Sequence, residues 1–223
     1  MLGYWDTLAG LLLVGGKMTV TRLLAALILA TLLTASAIAQ SANEIAGTIG
    51  RTFISDHGVP STGLTLHSGN GLSFAFNYAH HFIGNGTFFQ LSAEVPVMFN
   101  LDEDLNYFFN VTPGSYKSIF VTPSARLNLF ANTAVSPWFS AGGGFSHFSA
   151  GDMLQYGGKN PGPTTKTTGV FQFGTGLDVR VWHSIGLRGE LRDFYSGTPP
   201  VNVDIGKSRQ HNLYLGGGVV WHF

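Results

Sequence analysis

The chain has 223 residues, enough for one domain with an export segment, and 44% of them are hydrophobic while only 11% are charged. Ordinary soluble domains carry roughly 25% charge, so the composition favours a lipid-facing protein, with a secreted β-sandwich the alternative. Formal net charge is zero, which leaves no electrostatic footprint for nucleic acid, and the absence of cysteine excludes disulfides and thiolate metal sites.

In chain order, the first feature is residues 18–39, MTVTRLLAALILATLLTASAIA. Arg22 supplies a basic start, Leu23 to Leu33 an apolar stretch, and Ala37-Ile38-Ala39 the small-x-small pattern that precedes cleavage by signal peptidase. This predicts a signal peptide over 1–39, cut after Ala39, with the exported domain over 40–223. Residues 1–17 precede a second methionine, Met18, and read as an over-extended start. The alternative is a membrane anchor helix. The apolar stretch is short of the ~20 residues a span needs, and Thr31, Thr34 and Ser36 dilute it.

The remainder alternates with period two, as a strand does when successive side chains point to opposite faces. Segment 44–54 is the least regular, because Arg51 shares the parity of Ile45 and Ile49. Segment 71–82 sets Leu72, Phe74, Phe76 and Tyr78 against Ser73, Ala75, Asn77 and Ala79. Segment 87–99 sets Phe89, Leu91, Val95 and Val97 against Gln90, Ser92 and Glu94, and 117–130 sets Ile119, Val121, Leu127 and Leu129 against Thr122, Arg126 and Asn128. Segment 135–149 is glycine-rich and its facing is open. Segments 170–181, 185–194 and 211–223 alternate most clearly. Eight strands result, each long enough for the ~9–11 residues of a tilted membrane strand. The connections near 55–69, 100–116, 150–167 and 195–209 are long, whereas those near 83–86, 131–134 and 183–184 are short. That layout is an all-β, eight-stranded, antiparallel, up-and-down transmembrane barrel with its long loops outside the cell.

The apolar face is expected to meet lipid. Lys117, Lys159, Lys166 and Lys207, the lysines after the export segment, all lie in or beside long loops, whereas a soluble sheet spreads lysine over its water face. The opposite face is small and polar, as the crowded inside of an eight-strand barrel requires. Two aromatic belts are expected: Phe82, Phe88, Phe130, Trp138, Trp182, Trp221 and Phe223 beside the short turns, and Phe53, Phe99, Tyr116, Phe145, Phe194 and Tyr195 beside the long loops.

With these elements and the terminal Trp221-His222-Phe223, residues 44–223 resemble the OmpA-like and OmpX-like outer-membrane barrel domains. The resemblance implies an outer-membrane location in contact with lipid and lipopolysaccharide. It also implies that Trp221 and Phe223, closing the strand LYLGGGVVWHF, are the signal read by the barrel-assembly machinery. Pro137-Trp138-Phe139 running into Gly142-Gly143-Gly144 is similar to a strand common in these domains. Because the sequence stops at Phe223, a barrel without a periplasmic domain is expected.

Seven charged residues fall on the inward parity: Glu94, Arg126, Asp178, Arg180, Arg188, Glu190 and Arg192. Three acids and four bases nearly neutralise one another, and buried charges persist only when paired. The expected role is a salt-bridged plug; the alternative is a narrow ion path gated by the same pairs. His147 and Ser149 share a face near the outer rim and are similar to the His-x-Ser pair of outer-membrane lipid A deacylases, but the following strand offers Asp178 where a Glu is expected. No catalytic, cofactor or metal residue is therefore assigned. His80 and His81 point to opposite faces and cannot share one metal, and His183, His211 and His222 end strands. Asp102-Glu103-Asp104 reads as a solvated acidic loop, with Ca²⁺ binding the alternative although the spaced oxygen ligands and glycine of a calcium loop are missing, and Tyr107-Phe108-Phe109 reads as either belt or an exposed contact patch. The functional expectation is a non-enzymatic barrel that supports the envelope and displays loops to an extracellular ligand; a lipid A hydrolase and a small pore are the alternatives.

Overall fold

A computed structural model describes residues 42–84, 88–131 and 133–223. The expected signal peptide, its cleavage point, and parts of two short turns lie outside the described residues. Every regular element is a β-strand: β1 (Asn43–Ile54), β2 (His57–Val59), β3 (Leu64–Ser68), β4 (Asn70–Ile83), β5 (Phe89–Asn106), β6 (Ser115–Val121), β7 (Ser124–Leu129), β8 (Val135–Ala150), β9 (Thr165–Arg180), β10 (Ile185–Gly197) and β11 (Arg209–His222).

Antiparallel pairing runs β5-β4-β1-β11-β10-β9-β8 and returns to β5 through β6 and β7. The sheet therefore closes, and β1 meets β11 with Glu44 opposite His222 and Ile54 opposite Asn212. β6 and β7 are two halves of one stave. Pro123, which has no amide hydrogen to donate, sits in the break between them, so the expected single segment 117–130 is interrupted there. Counting the two halves once, the ring has the eight staves read from the alternation. The strands also run beyond the expected bounds, with β5 reaching Asn106 and β9 starting at Thr165, because cross-strand pairing continues above the apolar band.

Alternation translates directly into burial. Ile45, Ile49, Phe76, Phe139, Phe173, Leu187, Leu215 and Val219 are exposed on the outside, whereas Ala46, Thr48, Ala75, Asn77, Ser92, Ser140 and Gln172 are buried inside. An outward apolar band on a closed barrel is the surface that hydrocarbon covers. β1 obeys the same parity once Arg51 is allowed to face outward beside Phe53, which places Glu44, Thr48 and Thr52 inside. In β8, Trp138, Ser140, Ser146 and Phe148 point inward and Phe139, Phe145 and His147 outward, settling the open facing.

Three aromatics assigned to the belts are in the lumen instead. Trp138, Tyr116 and Phe194 are buried. Standing near a strand end did not place them; their parity did. Of the other belt residues, Phe53, Phe82, Phe88, Phe130, Phe145, Trp182 and Trp221 are exposed, and Phe99, Tyr195 and Phe223 are half-buried.

Candidate functional site

The lumen has two floors. In the half beside the short turns, Arg126 (β7) grips Glu44 (β1) with both terminal guanidinium nitrogens and lies 3.5 Å from Glu94 (β5). Arg188 (β10) donates from Nε to Asp178 Oδ1 at 2.7 Å and from Nη2 to both Asp178 Oδ2 (2.7 Å) and Glu44 Oε1 (2.8 Å). Arg192, two inward positions along β10, donates to Glu94 Oε1 and to Glu190 Oε2, each at 2.8 Å. Six of the seven charges read from the sequence converge here. Arg180 does not: it is exposed at the mouth beside the short turns and donates to the Ala131 carbonyl at 3.1 Å. Its parity is inward, but its strand position lies beyond the layer.

Glu44 is the member that the sequence did not reveal, and it is the hub. It accepts from two arginines, and the Nε2 atoms of His81 and His222 stand 3.5 and 3.6 Å from its Oε2. The signal was present, since Glu44 has the parity of Thr48 and Thr52, but Arg51 obscured it. Four acids thus face three arginines, with two histidines beside the fourth acid.

Trp138 organises the three arginines. The guanidinium carbons of Arg126, Arg188 and Arg192 lie 5.7, 5.3 and 4.8 Å from the indole centroid, and its Nε1 donates to Asp178 Oδ1 at 3.3 Å. Cations over an indole face are stabilised by the ring quadrupole, by ~2 kcal/mol where water is excluded. The indole fits because Gly176 has no side chain: a Cβ there would stand 2.4 Å from a Trp138 ring carbon. All of Glu44, Glu94, Arg126, Trp138, Glu190 and Arg192 are essentially inaccessible to water. Packed this closely, the layer fills the cross-section of the barrel, as the narrow bore of eight strands allows.

The half beside the long loops is packed with carbon instead. Tyr116, Phe120, Phe148 and Phe194 stack edge-on or tilted, with ring centroids 5.0 to 5.9 Å apart, and join Ile54, Met98, Val170 and Tyr214 in one core. The loops roof this core. The β2–β3 hairpin turns Val59 and Leu66 inward, and Tyr107, Val201 and Ile205 complete the ceiling. Hydrogen bonds tie the loops together: Thr62 with Tyr107 OH (2.7 Å), Asn110 Nδ2 to the Gly157 carbonyl (2.9 Å), and Asn202 Nδ2 to both Val111 O (3.1 Å) and Asn160 Oδ1 (2.7 Å). Beneath the hairpin, burial holds the His57 ring below the usual histidine range, with Lys207 pushing the same way.

Outside the roof, Tyr107 is buried but Phe108 is 74% and Tyr156 62% exposed, with Phe109, Val111 and Met153 also exposed nearby. The Tyr107–Phe108–Phe109 run is therefore split between ceiling and contact patch. A groove of about 420 Å³ opens here between Leu64, Thr65 and His67 on one side and Asn106, Phe108 and Tyr156 on the other.

No protein-family profile matches the chain, and no curated protein matches it by sequence. Solved structures match its fold. Neisserial surface protein A is 18% identical with a TM-score of 0.53, covering 82% of this chain and 98% of that one. OprG from Pseudomonas aeruginosa is 11% identical with a TM-score of 0.51, covering 81% and 96%. Outer membrane protein W of E. coli is 12% identical with a TM-score of 0.43, covering 83% and 100%. The chain has the closed antiparallel β-barrel fold of these solved outer-membrane proteins.

In this barrel His147 and Ser149 both lie on the outer face of β8, where the His147 ring shares a 2.8 Å hydrogen bond with Thr167 Oγ1. Asp178 is held by Arg188 and Trp138 in the half beside the short turns, far along β9 from that pair. His80 faces outward toward Asn43, and His81 faces inward, bonded to Ser92. The described residues hold no group of three or more His, Asp or Glu side chains arranged for a metal. Asp102 and Asp104 are exposed, but Glu103 is not a solvated loop residue: it is buried.

Proposed function

We propose that this protein is a non-enzymatic structural and surface-contact barrel of the outer membrane, one that braces the envelope and presents its roof to an extracellular partner. The carrying observation is the pairing of a lumen filled on both floors with an exposed aromatic patch on hydrogen-bonded loops. A filled lumen leaves the outer surface as the place where other molecules are met, and apolar side chains exposed on ordered loops are the usual mark of a contact site. The lipid-facing band meets lipid and lipopolysaccharide, and residues 1–39 serve as the cleaved export signal. Trp221 and Phe223, whose rings lie 4.8 Å apart at the end of the closing strand, serve as the terminal signal for the assembly machinery.

The test displays the full chain on a Gram-negative host that lacks surface binding of its own. Phe108→Ser combined with Tyr156→Ser is expected to reduce attachment to host-cell surfaces about ten-fold or more, the scale set by losing two aromatic anchors, with unchanged heat-modifiable migration on gels. Equal attachment with and without the barrel contradicts the contact role.

A further inference from the structure

Glu103 occupies an unusual position. β5 pairs regularly with β6 up to Asn100–Ser118, and the register then shifts so that Glu103 faces Tyr116. The irregularity reverses parity: Asn100 points inward, Asp102 outward, and Glu103 inward. Bulges re-aim single side chains in this way. The carboxylate so placed is fully buried, and among the described residues it has no ion-pair partner. Its Oε2 accepts from the Gly71 amide and from Asn100 Nδ2, both at 3.0 Å, while Oε1 has no hydrogen-bond partner. Asn100 Oδ1, buried beside it, is also without a partner.

These oxygens surround a glycine. A Cβ on Gly71 would stand 2.1 Å from Asn100 Oδ1, 2.5 Å from the Asp102 carbonyl and 2.7 Å from Glu103 Oε2. The missing side chain makes room for a cradle of oxygens. Buried charge without compensation is costly, and orphaned buried acceptors call for an ion or water. A carboxylate, an amide oxygen and a main-chain carbonyl form a donor set without nitrogen or sulfur, the kind that hard cations take and Ca²⁺ accepts in irregular geometry. The exposed carboxylates Asp102 and Asp104 add negative potential at the entrance.

We propose that Asn100, Asp102 and Glu103, gathered around Gly71 and beside Tyr116, the cross-strand partner of Glu103, form a binding site for a hard divalent cation of the Ca²⁺ class at the top of the lumen. The site lies under the roof and locks the end of β5 to β4 and β6, apart from the arginine layer. The experiment uses the full barrel refolded in detergent, freed of metal, and titrated with Ca²⁺, with Tb³⁺ as a luminescent stand-in sensitised by Tyr116. Saturable binding at one site per chain is expected, with a Ca²⁺-dependent rise in the unfolding midpoint. Glu103→Gln is expected to weaken binding about ten-fold or more, a loss of 1.4 kcal/mol at least, while Tyr116→Phe retains binding and loses most of the Tb³⁺ emission. Should Glu103→Gln fail to fold, the wild-type response to chelation carries the test. Absence of a Ca²⁺ response in wild type overturns the proposal, as does an equal response in folded Glu103→Gln.

Discussion

The two floors of the lumen solve the same packing problem with opposite chemistry. Beside the short turns, three arginines and four acids close around Trp138. Toward the long loops, four aromatic rings and their aliphatic neighbours fill the same cross-section. An ion pair in a dry layer is sensitive to the loss of either partner, because the survivor is left charged and unsolvated. A carbon core is sensitive to volume, and it adapts to substitutions that conserve volume. The contrast teaches that the lower floor depends on every one of its members, whereas the upper floor depends on shape.

The largest effect is therefore expected at the hub of the lower floor. Glu44→Ala leaves Arg126 and Arg188 short of a partner and is expected to cost about 3–5 kcal/mol, read from urea unfolding of the refolded barrel in detergent. Gly176→Ala comes next. It drives a methyl group into the Trp138 indole and is expected to cost about 1–3 kcal/mol through overpacking, measured the same way. On the upper floor, Phe120→Leu keeps the volume roughly constant and is expected to cost about 1 kcal/mol. If that substitution matches Glu44→Ala, the two floors do not differ as described.

The smallest effect concerns the roof and acid. The folded protein holds His57 below its unfolded value, so the neutral ring belongs to the folded state. Above the unfolded value of about 6.5, both states are neutral and the stability is complete. As pH falls below it, the unfolded loop takes up the proton first, and roof stability is lost down to the folded value. Proteolysis of the β2–β3 hairpin is thus expected to quicken as pH falls below about 6.5, and His57→Gln is expected to remove that dependence. The arginine layer, being shielded from salt, is expected to hold its unfolding midpoint as ionic strength rises.

The sequence carried the barrel because lipid outside and small residues inside impose a period of two on every stave. β9, β10 and β11 could be read residue by residue. The features missed were those that parity or local geometry decides against a stronger-looking cue. Arg51 on the outer face hid the parity of β1 and with it Glu44. Glycines on both faces of β8 hid Trp138, which was assigned to a belt because it stands near a short turn. Glu103 was unreadable in principle, since a register shift between Asn100 and Glu103 leaves no trace in a pattern of apolar and polar letters. Arg180 shows the converse: correct parity with the wrong height.

The central claim is that the lumen is closed and that contact with other molecules belongs to the roof. Conductance of the refolded barrel in a planar lipid bilayer tests it most directly. The closed lumen predicts a quiet baseline at all moderate voltages, with discrete steps emerging only when the plug is opened by Arg126→Ala combined with Glu44→Ala. Reproducible single-channel steps from the unaltered protein would contradict it.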